Sequence, residues 1–206
     1  GRTLWLGGTE YGQERACSNF NCAFTHAQTV YQFVNAFWLL LNGCGVGFQP
    51  RAGSLHGFLR PIRDVAVIPS ERSSSEKGPE ANEEQKPSSE NDGVWRIVVG
   101  DSAAAWAKAV GKLLNPPEAR ARRLELDFSQ VRGPGGRLKG YGWICNGWEP
   151  LRDAMLCVTE LLDNRAGGIL SELDLLDVMN HLGTVRSTTR AAELGELDYG
   201  HPRWEE

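Results

Sequence analysis

Ser18-Asn19-Phe20-Asn21-Cys22-Ala23-Phe24-Thr25 opens a stretch that continues through an apolar helix signal to Asn42-Gly43-Cys44-Gly45-Val46-Gly47-Phe48. From Ala27 to Leu41 the apolar residues Val30, Phe33, Val34, Phe37, Trp38 and Leu41 recur at helical spacing. Gly43 stands just past the end, where a left-handed cap belongs. The flanking pieces, each carrying a cysteine, read as β-strands. Strand, crossover helix and strand make a βαβ unit, which sets the two strands side by side. Cys22 and the Cys44-Gly45 corner then approach one site near the strand ends. Glycine at 43, 45 and 47 lets a backbone come close to a ligand, since no Cβ intervenes. Two readings stand together: a buried, inert cysteine, or a thiol beside a bare-backbone surface.

Outward from this unit, strands and helices alternate. Val65 to Ile68 reads as a strand stopped by Pro69, and Trp95 to Val99 as another. Asp101 or Ser102 can cap a helix running to Leu114, where Pro116-Pro117 prevents continuation. Leu124 to Phe128 alternates as a strand. Helices are expected over 149–163 and 172–182, the second opened by the capping-box pattern Ser171-x-x-Asp174 and ended at Gly183. This order predicts an α/β fold with largely parallel strands in one domain over 1–206. Residues 70–93 lack any large apolar side chain until Val94 and predict a disordered insertion.

The chain of 206 residues is 41% hydrophobic and can bury one core. Its formal charge of −4 is matched by the seven acids and three bases of residues 71–92, so the rest is formally neutral. No basic patch argues for direct DNA binding, and no apolar run is long enough to span a membrane. The five cysteines lack CxxC spacing and neighbouring histidines, which argues against a metal site and against a disulfide framework. His26, His56, His181 and His201 show no ligand spacing. Gly1-Arg2-Thr3 opens no signal-peptide pattern, and a reducing cytoplasm is the expected setting.

Phe20-Asn21-Cys22-Ala23-Phe24 followed by Phe37-Trp38-Leu39-Leu40-Leu41-Asn42-Gly43-Cys44-Gly45-Val46-Gly47-Phe48 resembles the first half of a ribonucleotide reductase catalytic barrel. The likeness is greatest to the adenosylcobalamin-dependent (class II) type, in particular the monomeric triphosphate-reducing group. The resemblance implies the first half of a ten-stranded α/β barrel of the ribonucleotide reductase type, incomplete in this chain. It implies that Cys22 is one of two redox cysteines beneath a substrate ribose. Sulfur suits that work because a thiol can give a proton and electrons and end as a disulfide that external thiols reset. Asn21, Cys44 and Gly45 fall where the family holds its ribonucleoside triphosphate substrate, although the Cys44 thiol itself need not be reactive.

Gly140-Tyr141-Gly142-Trp143-Ile144-Cys145-Asn146-Gly147 resembles the loop through which a deoxynucleotide effector selects the base to be reduced. Gly142 gives such a loop conformational freedom, and Asn146 can both donate and accept hydrogen bonds at a base edge. Arg132, Arg137 and Lys139 precede it and can meet effector phosphates. Asp127, ending a strand, suits either an effector ribose hydroxyl or a strand-end cap. Cys145 and Cys157 are expected to be non-catalytic.

Ser187-Thr188-Thr189-Arg190-Ala191-Ala192-Glu193 resembles the family's Arg-Arg-Ser-Ala-Glu stretch, with Thr189 for the first Arg and Ala191 for the Ser. The family's Asn-Pro-Cys-Gly-Glu stretch, source of its radical cysteine, does not occur before Trp204-Glu205-Glu206. The resemblance therefore implies the N-terminal half of the barrel. Its needs would be the missing C-terminal half, adenosylcobalamin bound mainly outside this chain, and a thioredoxin-type reductant. The rival expectation is a non-catalytic nucleotide-binding remnant or assembly module of a decayed reductase. The altered stretch at 187–193 and the acidic insertion favour that rival.

Overall fold

The computed structural model describes residue 4, residues 6–79, 93–116, 121–138 and 144–186, and the backbone of 192–195. A short helix α1 (Glu10–Glu14) precedes strand β1 (Cys22–Ala27), helix α2 (Val30–Leu41) and strand β2 (Gly45–Pro50). Strands β3 (Asp64–Ile68) and β4 (Val94–Val98), helix α3 (Ala103–Leu114) and strand β5 (Arg123–Asp127) follow. Helices α4 (Glu149–Asn164) and α5 (Glu172–Gly183) and strand β6 (Ala192–Gly195) complete the order. The strands form two parallel sheets of three, ordered β1-β2-β6 and β3-β5-β4. The α/β class with parallel pairing is as expected from the alternation of elements.

Helix α2 is fixed at both ends by local chemistry. Thr29 Oγ1 accepts from the Gln32 N–H while Gln32 Oε1 accepts from the Thr29 N–H, a full capping box. That cap moves the helix start away from Ala27, which instead ends β1 with its side chain fully buried. At the other end Gly43 adopts φ +81°, the Gly43 N–H donates to Leu40 O at 2.8 Å, and the Cys44 N–H donates to Leu39 O at 3.0 Å. This is the Schellman arrangement, which satisfies carbonyls that a helix end otherwise leaves open. Phe33, Ala36, Phe37 and Leu40 cover one face of the helix and are buried.

Asn42, 1% exposed, ties the end of α2 to what precedes it. Its Nδ2 donates to Trp38 O at 2.7 Å, and its Oδ1 accepts from Arg15 at 3.3 Å and the Tyr11 hydroxyl at 3.4 Å. Helix α3 is capped by Ser102, whose Oγ accepts from the Ala105 N–H at 3.1 Å; Asp101 has other partners. It crosses α2 where Gly111 leaves room: a Cβ there would lie 2.8 Å from Val34 Cγ2. Buried side chains of both sheets and of helices α2 to α5 form one continuous cluster.

Helix α5 ends at Gly183 as expected, with Thr184 as its cap. Residues 70–79, expected to begin a disordered insertion, are packed against residues 129–136. Ser70 Oγ donates to Val131 O, Arg72 Nε to Ser129 O at 3.1 Å, and the Gly133 N–H to Arg72 O at 3.1 Å. The composition of this arm conceals its order, because backbone and polar side chains make the contacts rather than apolar burial. Residues 80–92 lie outside the described residues.

The Ser171–Asp174 capping box forms as expected, and Arg165 adds an ion pair to Asp174 at 3.0 Å. Burial works to raise the Asp174 pKa, but the Ser171 hydroxyl and N–H and the Arg165 guanidinium outweigh it, leaving the carboxyl below its ordinary 3.8. Such a group stabilises the fold fully above its unfolded pKa, and the contribution is lost as pH falls through the folded value. Asp174→Ala is expected to cost about 1 kcal/mol at neutral pH, with the gap from wild type closing below about pH 4. Urea denaturation at a series of pH values checks this.

Candidate functional site

Residues along β1 and β2 alternate between two faces. Ala27, Val46 and Phe48 face the core and are buried, whereas Cys22, Phe24 and His26 are exposed. The parallel register pairs Cys22 with Gly45, Phe24 with Gly47 and His26 with Gln49. Paired residues share a face, so the open side of this sheet presents a thiol beside bare backbone. Neighbouring strands lie about 4.8 Å apart, so nothing but main chain adjoins the Cys22 side chain on the β2 side. One pair further on, the Phe24 ring lies over Gly47: a Cβ there would meet Phe24 Cδ2 at 3.1 Å. Phe24 and His26 rings meet edge to face at 5.6 Å. The strip thus sets the Cys22 thiol beside Gly45 at one end and the Phe24 and His26 rings at the other.

Asn21, exposed, contributes its carbonyl to this corner, accepting from the Gly45 N–H at 2.8 Å. Cys44 is placed differently. It is 1% exposed, and its thiol donates to Cys17 O and Phe20 O, both at 3.4 Å. The thiol faces away from the Cys22–Gly45 side and holds the turn before β1 against the end of α2. Among the substrate-side positions, the structure thus brings Asn21, Cys22 and Gly45 together and directs the Cys44 side chain elsewhere.

The effector-side positions gather at the carboxyl end of β5. Asp127 is 7% exposed; its Oδ1 accepts from the Ser129 N–H at 2.9 Å, and Oδ2 lies 3.6 Å from Arg96 Nε. The cap reading of Asp127 thus has a bond to support it. Arg132 donates to Asp101 Oδ2 at 2.8 Å, with side chains only 13% and 6% exposed. That pair ties Arg132 to a structural partner rather than leaving it available to a phosphate. Arg137 is exposed and pairs its backbone with Ile144 in an antiparallel bridge. Asn146 Nδ2 donates to Arg186 O at 3.0 Å. Lys139 and Gly142, like 187–191, lie outside the described residues.

Sequence reasoning missed the Thr29 cap, although Thr29-x-x-Gln32 carries its signal, and missed the joint role of Asp101 and Arg132, which no local pattern marks. Among the described residues no group of His, Cys, Asp and Glu is arranged to hold a metal, and no helix is long and apolar enough to cross a membrane.

Burial sorts the thiols. It pushes the Cys17 pKa up, with the neighbouring Cys44 adding to the effect, and it pushes Cys145 up as well. Cys22 and Cys157 are exposed, Cys44 and Cys145 buried. Alkylation of the native chain at neutral pH is expected to label Cys22 and Cys157 first, Cys17 slowly, and Cys44 and Cys145 only after denaturation. Mass spectrometry of timed digests reads this order directly.

No family model matches the chain. Curated relatives do. The adenosylcobalamin-dependent ribonucleoside-triphosphate reductase of Lactobacillus gasseri is 25% identical over 231 residues, covering 94% of this chain and 31% of that protein. The Lactobacillus leichmannii enzyme of the same name is 26% identical over 230 residues, with the same shares. A probable adenosylcobalamin-dependent ribonucleoside-triphosphate reductase from Dictyostelium discoideum is 28% identical over 110 residues, 53% of this chain and 14% of that protein. The crystal structure of a B12-dependent (class II) ribonucleotide reductase shares the fold, with TM-score 0.73 and 23% identity over 96% of this chain and 32% of that one. The chain spans about a third of the length of these proteins. Over nearly all its own length the chain is similar to one part of proteins named adenosylcobalamin-dependent ribonucleoside-triphosphate reductase, at about a quarter identity.

Proposed function

We propose that this chain is the N-terminal half of the catalytic barrel of an adenosylcobalamin-dependent ribonucleotide reductase, and that it works as part of an enzyme reducing ribonucleoside triphosphates to 2′-deoxyribonucleotides. The observation that carries the proposal is the in-register pairing of Cys22 with Gly45 on the open face of the first sheet. The homologous relatives and the shared fold support it. The two sheets, six strands among the described residues, are read as part of a ten-stranded barrel, in one domain, with the open face turned to its interior.

In this reading the glycine strip lets the ribose lie against main chain while Cys22 stands below it. Cys22 and a second cysteine, supplied by the rest of the enzyme, each give a hydrogen to the substrate. The 2′ hydroxyl leaves as water, the carbon gains hydrogen, and the two sulfurs end as a disulfide. A thioredoxin-type dithiol then returns the pair to thiols. Asn21 and Gly45 hold the sugar side through backbone groups. The loop bearing Arg137, Lys139, Gly142 and Asn146 reads the deoxynucleotide effector. Asp127 and Arg132 take supporting roles beneath it, since both have partners within the protein.

Adenosylcobalamin supplies the radical that starts such a reaction. The residues described do not fit it: the strip beside Cys22 offers a thiol, the bare backbone of Gly45 and the Phe24 ring over Gly47, and none of these is a donor set for a corrin. The cofactor is therefore assigned to the remainder of the enzyme. The expected setting is a reducing cytoplasm.

The test combines this chain with the remaining segment of the reductase, adenosylcobalamin, dithiothreitol and a ribonucleoside triphosphate. Deoxynucleotide is expected to form with Cys22 intact and to fall to background with Cys22→Ser. Equal product from both would remove Cys22 from the reaction.

A further inference from the structure

The loop leading from β5 toward α4 has a neck. The Gly135 N–H donates to Cys145 O at 2.9 Å, the Cys145 N–H donates to Gly136 O at 2.8 Å, and Arg137 bridges Ile144 immediately beyond. Arg137 and Asn146, both proposed to meet the effector, stand on the two sides of this neck. The neck is held from outside by the arm 70–79.

Along the arm the two backbones approach so closely that side chains are excluded at three glycines. A Cβ at Gly78 would lie 1.8 Å from Gln130 O, one at Gly133 2.7 Å from Arg72 O, and one at Gly136 2.3 Å from Ser74 O. Approaches this short admit only glycine. Ser70 and Arg72 add side-chain bonds to Val131 O and Ser129 O.

Asp101 closes the assembly. Its N–H donates to Pro79 O at 2.7 Å, and its Oδ2 accepts from the Gly78 N–H at 2.8 Å and from Arg132 Nε at 2.8 Å. One buried carboxylate, on the link between β4 and the Ser102 cap of α3, thus joins the end of the arm to the base of the loop. Arms held only at chance contacts would not share a single charged acceptor at 6% side-chain exposure.

We infer that residues 70–79 are a brace for the neck, and that Asp101 is a positioning residue that sets how Arg137 and Asn146 are presented to a nucleotide. The inference rests on the effector role proposed for that loop, but the mechanical claim can be judged separately. Amide hydrogen exchange reports local opening. In this chain, Asp101→Ala is expected to speed exchange at Gly133, Gly135 and Cys145 by about tenfold or more, while α2 and α4 amides are unchanged. Asp101→Asn, which keeps an acceptor for Gly78, is expected to fall between. Gly136→Ala, which drives a Cβ into Ser74 O, is expected to speed the same amides by an independent route. Titration with a deoxynucleoside triphosphate is expected to show weaker binding in the same order of variants.

Unchanged exchange across 129–147 in both Asp101→Ala and Gly136→Ala would overturn the brace. So would a rise spread evenly over all helices, which would make Asp101 a general stability residue. If the wild-type chain binds no deoxynucleotide while the local exchange pattern appears, the brace stands and the effector reading is what fails.

Discussion

The end of helix α2 is the constraint on which the candidate site depends. A Schellman turn built on Gly43 reverses the chain within two residues and delivers Cys44 to a buried position. There the thiol bonds two carbonyls of the preceding turn, Cys17 O and Phe20 O. The next residue, Gly45, donates to Asn21 O and so begins the parallel ladder with Cys22 opposite. Helix cap, buried thiol and strand register are consecutive steps of one geometry. Asn42 reinforces it by collecting Tyr11 and Arg15 from α1 and its flank. A shift of one residue at this corner would turn the opposite face of β2 toward Cys22 and replace glycine with a side chain.

The second sheet serves a different purpose. Its carboxyl ends carry polar groups that are almost all engaged: Asp127 with the Ser129 N–H and Arg96, Asp101 with the arm and Arg132. Buried charges are tolerated because each is paired and hydrogen-bonded. These contacts tie down the base of the loop after β5, where two backbone bonds between Gly135, Gly136 and Cys145 close a neck. One continuous cluster of buried side chains joins the two sheets.

Much of the fold was legible in the chain. The apolar repeat of α2, the alternating strands and the Ser171–Asp174 box were all recognisable, because each rests on residues within a few positions of one another. The strand–helix–strand pattern of Ser18 to Phe48 already set Cys22 beside the Cys44-Gly45 corner. What stayed hidden were long-range polar contacts. Asp101 reaches partners 23 and 31 residues away, and Ser70 reaches one 61 away. Composition reads 70–79 as unstructured since it weighs apolar burial, whereas the arm is held by backbone bonds and excluded Cβ atoms.

By itself the sequence determined the local elements and the chemistry available to them, since helical period, capping patterns and turn glycines act over a few residues. It placed two cysteines at one corner, and only the resemblance, not the local pattern, favoured Cys22 as the reactive one. Only the tertiary structure decided that Cys22 is exposed beside bare backbone and that Cys44 is buried in a structural bond. The physical reason is strand parity. Residues alternate between faces, so once Gly45 pairs with Cys22, the residue before it turns the other way, into the core.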